Sequence, residues 1–285
     1  MKAIAEFAMK RPFNAYALAA VGAAFPFTFW ISAALVGLVT LRKGQAQGIS
    51  MLFAALVGTM AGIIYVGTIV AFIPVLLSCT AIVLLASVLR STNNWGYTLV
   101  SGTVIAIIFG LLAITFVGDT FNSILEQIIL QLDSMPESSD AMKQLFLDMA
   151  ENNGLALVFA GGSVDLAIVI LMLARSWQSN LYNPGGFRKE IHQLRLMPWM
   201  VVALIAIGAI IIQINVYALE PAMMPLLIAG VALVHALMAK RDMGGPWIAT
   251  FYLGMLLVPY VLPLVIVLAA VDSVIDIRSK VPEAS

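Results

Sequence analysis

Apolar residues fall along the chain in long runs separated by short polar breaks. The runs cover roughly 13–41, 49–89, 95–117, 155–175, 199–219, 222–239 and 246–271. A helix that crosses the hydrocarbon core of a bilayer needs about 20 apolar residues. Four of the runs therefore predict one span each, and 49–89 predicts two, turning between Gly67 and Pro74. The first and last runs are long for one span and short for two. Each carries proline near its middle: Pro26 in the first, Pro259 and Pro263 in the last. Proline removes a backbone donor and kinks or breaks a helix. Each of these runs is thus expected as one tilted, kinked helix or as a pair of short broken helices. The pattern predicts an all-α polytopic membrane bundle of about eight transmembrane segments.

Composition sharpens this. Hydrophobic residues make up 62% of the chain and charged residues 11%, with a mean hydropathy of +1.01. A soluble domain is nearer half apolar and about a quarter charged. Residues 1–285 are expected to form a single integral membrane domain, with the lipid bilayer as its solvent. Charges cancel to zero overall, but their placement does not. Basic residues gather in alternate loops, 42–48, 90–94, 176–198 and 240–245, and again at Arg278 and Lys280. Cytoplasmic loops are rich in Lys and Arg, so these loops are placed inside, in a bacterial inner membrane. Lys2, Lys10 and Arg11 put the N-terminus on the same side, as a retained anchor rather than a cleaved signal peptide. That requires 13–41 to enter and leave on one face, which favours a hairpin over a single helix.

Residues 118–153 have the opposite character, with seven acids against Lys143 alone. Phe121, Ile124, Leu125, Ile128, Ile129 and Leu132 repeat at helical spacing, and so do Met142, Leu145, Phe146 and Met149. "SMPESSD" between them reads as a turn, with Ser139 or Asp140 as a helix cap. This predicts an outward-facing amphipathic helical hairpin. It either covers the ends of the bundle, the favoured reading, or forms a lid over an outward-facing cavity.

Several chemistries lack their motifs. There is no phosphate-binding loop, no H-E-x-x-H pair and no nucleophile elbow. His192 and His235 lie in different segments, away from Cys79, so no metal site and no cofactor is expected. A single cysteine excludes an intramolecular disulfide. Basic residues scattered over juxtamembrane loops argue against nucleic acid. The chain is not read as an enzyme.

One charge stands inside a span: Asp165, about ten residues from either end of its run and so near the bilayer midplane. Such a charge costs about 2.5–3.5 kcal/mol on insertion scales and usually faces the bundle interior. Gly161, Gly162 and Ser163 precede it and would make room beside it. Asp165 and Ser163 are candidate substrate or ion contacts. The alternative is a carboxyl tying helices together through Ser101, Thr103 or Asn215. Asn215 and Gln213 near the outer end of a span could line a polar mouth or cap a helix. His235, close to the inner interface, is a second candidate contact or a hydrogen-bonded structural group. Asp272 and Asp276 are spaced to share a helix face and call for basic partners, with Arg175, Arg195, Lys240 and Arg241 as candidates. Gly58 and Gly62 form a close-packing G-x-x-x-G pair.

The loop 176–198 opens on a strong turn signal: Tyr182, Asn183, Pro184, Gly185, Gly186. Beyond it Phe187, Ile191 and Leu194 form one stripe, and Arg188, His192 and Arg195 an adjoining basic one. This predicts a short amphipathic helix in the inner interface. It serves as an anchor or, with Tyr182 through Arg188 and the Asp272–Asp276 region, as a docking surface for a partner.

"LYNPGGFRKEIHQLRL", followed by "LVHALMAKRDMGGPWIATFY" and "VDSVIDIR", resembles the YybS-like family of bacterial membrane proteins. The likeness covers most of the chain. That family looks distantly related to the S components of energy-coupling-factor transporters, which bind vitamins or metal ions. Those pair with a transmembrane coupling protein and ATPases. The resemblance therefore implies a small-molecule ligand and such partners. Ala15, Ala19 and Ala23 match the A-x-x-x-A spacing at which an S component docks its coupling protein, and Ala20 and Ala24 match it too. The leading expectation is a small-molecule binding or transport component that needs separate energising partners. Its alternative is a non-transporting membrane scaffold or assembly factor.

Overall fold

The computed structural model describes residues 2–134 and 140–282. In chain order the helices are α1 (Lys2–Lys10), α2 (Pro12–Ala23), α3 (Phe29–Lys43), α4 (Gln45–Val66), α5 (Ile73–Thr92), α6 (Trp95–Asp133) and α7 (Asp140–Glu151). They continue with α8 (Gly154–Tyr182), α9 (Gly186–Gln193), α10 (Pro198–Ile214), α11 (Glu220–Lys240), α12 (Gly245–Leu257), α13 (Val261–Ile275) and α14 (Ile277–Lys280). No strand occurs among the described residues, so the fold is an all-α bundle. Among the described residues five helices are long and apolar enough to cross a membrane, or seven if the bent pairs α9–α10 and α12–α13 each count as one span.

Local chemistry sets the breaks. Gly67 ends α4 in the left-handed region at φ 79, and Pro74 sits in the first turn of α5, where a missing N–H is harmless. The 49–89 run is thus two helices, turning where Gly67 and Pro74 mark it. The first run is also two helices, α2 and α3, broken on either side of Pro26. The last run breaks before Pro259, and α12 and α13 meet at 115°.

The core is built around α3. Every residue from Ser32 to Leu41 is buried, as expected of a helix that is apolar all round. α2, α4, α5 and α8 surround it. α2 pairs with α3 where Ser32 Oγ donates to the Ala19 carbonyl at 2.7 Å. α2 also runs alongside α4 at very short range. A Cβ on Gly58 would lie 1.8 Å from the Ala20 oxygen, and one on Gly62 would lie 2.4 Å from the Ala24 oxygen. The G-x-x-x-G face is therefore used within the chain. So is the alanine stripe: Ala15, Ala19 and Ala23 are at most 4% exposed. This corrects the idea that they offer a docking face, because α3 and α4 already cover α2.

The acidic region also departs from expectation. α6 does not end near residue 117 but continues to Asp133, a rise of about 58 Å, well beyond a hydrocarbon core of about 30 Å. Gly118 does not break it. It admits Asn153, whose Oδ1 would be 2.9 Å from a Cβ at that position. The turn around Ser139, residues 135–139, lies outside the described residues. Asp140 is the first residue of α7. Lys143 of α7 pairs with Asp133 at 2.5 Å. Three further bonds clasp this end: Asn122 Nδ2 to Asn153 Oδ1 at 3.1 Å, Asn215 Nδ2 to the Asn152 carbonyl at 2.7 Å, and Tyr217 OH to Asp148 at 2.7 Å.

The basic loops meet at the other end. Arg90 donates to the Leu41 carbonyl at 2.7 Å, Arg42 lies 4.3 Å from the Tyr182 ring centroid, and Arg278 donates to the His192 carbonyl at 2.9 Å. The bundle thus has a basic end and an acidic end.

Candidate functional site

α8, α9, α11 and α12 line a partly open cavity of about 790 Å³ in the half of the bundle nearer the basic end. That volume falls within the range of about 300–1,000 Å³ usual for small-molecule sites. The walls are apolar. Val169, Met172 and Leu173 come from α8, and the α11 face from Met224 to Ala239 forms the longest side. α12 closes the cavity with Ile248, Tyr252 and Met255. None of the α12 residues is buried, so that wall is loosely held. A direct polar tie joins it to α11, His235 Nε2 to Tyr252 OH at 2.9 Å.

The fourth wall, α9, is placed by the turn that the sequence marks. Gly185 takes φ 82, a conformation that L side chains resist. Ser179 then bridges the loop: its Oγ donates to the Asn183 carbonyl at 2.7 Å and accepts the Phe187 N–H at 2.9 Å. Phe187 meets the Trp95 ring edge-on at 6.4 Å. Glu190 accepts from the Trp95 indole at 3.3 Å and pairs with Arg175 at 2.5 Å. α9 therefore turns Phe187, Arg188, Ile191 and His192 toward the cavity, while Tyr182, Asn183, Pro184 and Gly185 remain exposed. Gly186 packs against Asn183. Leu194, expected to continue the helix, is extended and buried.

Burial, with Arg188, His235 and Arg278 nearby, pushes His192 below the ordinary imidazole range. Burial likewise lowers Arg278 from its usual value, against the pull of Asp272 and Asp276.

Asp165 lies elsewhere. It is 6% exposed and does not line this cavity. It sits four residues before Val169, one helical turn beyond the cavity's deep end on the same face of α8. Its Oδ2 is buried without a hydrogen-bond partner, and the charge acting on it is another acid, Glu220 at the start of α11. The expected ties are made to other groups. Thr103 donates to the Pro221 carbonyl and Ser101 to Tyr97, while Asn215 caps the turn at Tyr217 and reaches Asn152. Ser163 Oγ donates to Phe159 of its own helix. Gly161 fits against Pro221, and Gly162 faces open space. Of the four candidate contacts, His235 lines this cavity, and Asp165, Ser163 and Asn215 do not.

The two aspartates near the C-terminus do not share a helix face. α13 ends at Ile275, and Asp276 adopts φ 49 to start α14. They find basic partners, but not all of those expected. Arg195 pairs with Asp276 at 3.3 Å, and Arg278 with Asp272 at 3.6 Å. Arg175 is taken by Glu190, and Lys240 donates to the Arg278 carbonyl at 2.9 Å. The cavity's methionines and Tyr252 were not singled out by their sequence pattern. Their signal is the recurrence of methionine along α8, α11, α12 and the loop between the last two.

No family model, curated protein or solved structure matches this chain.

Proposed function

We propose that this is a multi-pass membrane protein that binds a small apolar or amphipathic molecule between α8, α9, α11 and α12. The observation that carries this reading is the 790 Å³ cavity with apolar walls and a cationic rim. In this reading the basic end is cytoplasmic, the membrane is a bacterial inner membrane, and the N-terminus lies inside. The α6–α7 hairpin faces outward, and the α2–α3 pair enters and leaves on the cytoplasmic side. With that pair and the bent C-terminal pair the segments number about eight. The hairpin covers the bundle rather than gating it, since Tyr217–Asp148 and Asn215–Asn152 hold it down.

The protein carries no catalytic step of its own and serves as the binding component of a larger assembly, energised by a separate coupling protein and ATPases. The likeness of "LYNPGGFRKEIHQLRL" to the YybS-like family and, through it, to S components is part of this proposal. In this reading the cavity, being near the basic end, faces the inner leaflet rather than an outward mouth.

A scaffold role is the second reading. It is favoured by α7, which buries none of its residues and leaves Met142, Leu145 and Leu147 exposed. Purification in mild detergent separates the two. A small molecule retained in stoichiometric amount, with ATPase subunits co-purifying, is the expected result. Protein partners captured through α7, with no small molecule retained, would favour the scaffold.

A further inference from the structure

We infer that the cavity takes an anionic phospholipid of the inner leaflet, with an acyl chain along α11 and the phosphate against Arg188 and His192. This rests on the binding reading above and names its ligand class. Shape is the first support. The α11 wall runs from Met224 to Ala239, a rise of about 22 Å. A volume of 790 Å³ spread along that length is a narrow slot rather than a round pocket. Such a slot fits a polymethylene chain better than a compact polar solute.

Wall chemistry is the second. Met172, Met224, Met238, Met243 and Met255 line the slot. Unbranched thioether side chains reshape around a flexible guest.

Charge is the third. Among the described residues no aspartate or glutamate lines the cavity, and Arg188 is its one permanently charged side chain. The nearby acids are occupied: Glu190 by Arg175, Asp272 by Arg278 and Asp276 by Arg195. Arg188 makes no ion pair among the described residues. It stands with His192 at the end where α9 meets the basic loops, so the slot is apolar along its length and cationic at one end. A guanidinium engages a phosphodiester through charge-assisted hydrogen bonds. A zwitterionic headgroup brings its own cation to the same place and gains less.

Delipidated full-length protein, titrated with phosphatidylglycerol or phosphatidylcholine of identical chains and read by native mass spectrometry, tests this. The wild type should prefer phosphatidylglycerol by about tenfold. Arg188→Gln with His192→Gln should abolish that preference, weakening phosphatidylglycerol far more than phosphatidylcholine. Val231→Trp, which fills the slot, should weaken both lipids. Met238→Trp does the same from the basic end and serves if Val231→Trp does not fold. Equal affinity for both lipids in the wild type overturns the inference. So does a phosphatidylglycerol preference that survives the double substitution. If binding is then still lost on filling the slot, the binding reading stands without its anionic ligand. Lipid binding unchanged by both slot-filling variants overturns the two together.

Discussion

Thr103 Oγ1 donates to the Pro221 carbonyl at 2.8 Å, across the contact between α6 and α11. Pro225, four residues on inside α11, has no N–H to offer that oxygen. The hydroxyl of one helix therefore completes the backbone of another, at a depth where water does not. Thr103→Val should destabilise the protein by about 1–2 kcal/mol, read as a lower unfolding midpoint in detergent. Pro225→Ala restores the donor, so Thr103→Val should cost much less in that background. Equal costs in both backgrounds would remove this account of the α6–α11 contact.

Gly58 and Gly162 are both helical glycines, and opposite outcomes are expected on adding a methyl. At Gly58 the Cβ would meet the Ala20 backbone oxygen at 1.8 Å. Backbone cannot move aside cheaply, so Gly58→Ala should lose about 1–3 kcal/mol. Gly162 has nothing within 4 Å of an added Cβ, so Gly162→Ala should be neutral or gain up to about 1 kcal/mol in helix propensity. Thermal unfolding of the two variants checks this.

Asp165 has a buried oxygen with no partner and an acid, Glu220, acting on it. Asp165→Asn keeps its shape and removes its charge. The variant should be at least as stable as the wild type, with a gain bounded by the insertion cost of about 2.5–3.5 kcal/mol for a mid-membrane acid. Ligand retention should not change, because Asp165 lies beyond the cavity's deep end. Loss of the bound molecule in Asp165→Asn, with folding intact, would put this residue back in the site.

His192 gives the site a pH dependence. It faces Arg188 on its own helix, His235 from α11 and Arg278 from α14, with Lys240 and Asp276 around the same inner pocket. Its lowered folded-state value means that the unfolded chain takes up the proton first as pH falls. Stability should therefore be full above the ordinary imidazole value of about 6.5 and decline as pH drops from there toward the folded value. His192→Gln should flatten this decline. The same protonation adds positive charge beside Arg188, so preference for phosphatidylglycerol should rise over that window.

Much of the architecture was legible because it depends on period and punctuation. Gly67 and Pro74 mark the α4–α5 turn, Pro26 the first break and Asn183–Gly186 the entry to α9. Charge placement also indicated a hairpin for the first run, and α2 and α3 pack as a pair. What sequence could not supply was facing. Ala15, Ala19 and Ala23 look the same whether they meet a partner or α3 and α4 of the same chain. The apolar run ends at 117, yet Gly118 just beyond it is a close-approach point within a continuous α6. The loop 176–198 reads as basic, which hides Glu190, the acid that Arg175 and Trp95 hold. Asp165 was visible by its depth, but its lack of a partner was not. The cavity was least visible, since its methionines come from helices far apart in sequence and acquire a common purpose only when α12 folds back beside α11.

The central claim is that the slot between α8, α9, α11 and α12 holds a small molecule. The most direct measurement is the mass of ligand retained per chain after exhaustive detergent washing, compared between the wild type and Val231→Trp. About one molecule per wild-type chain and almost none in a folded Val231→Trp variant is the predicted result. Equal retention in both, or none in either, would contradict it.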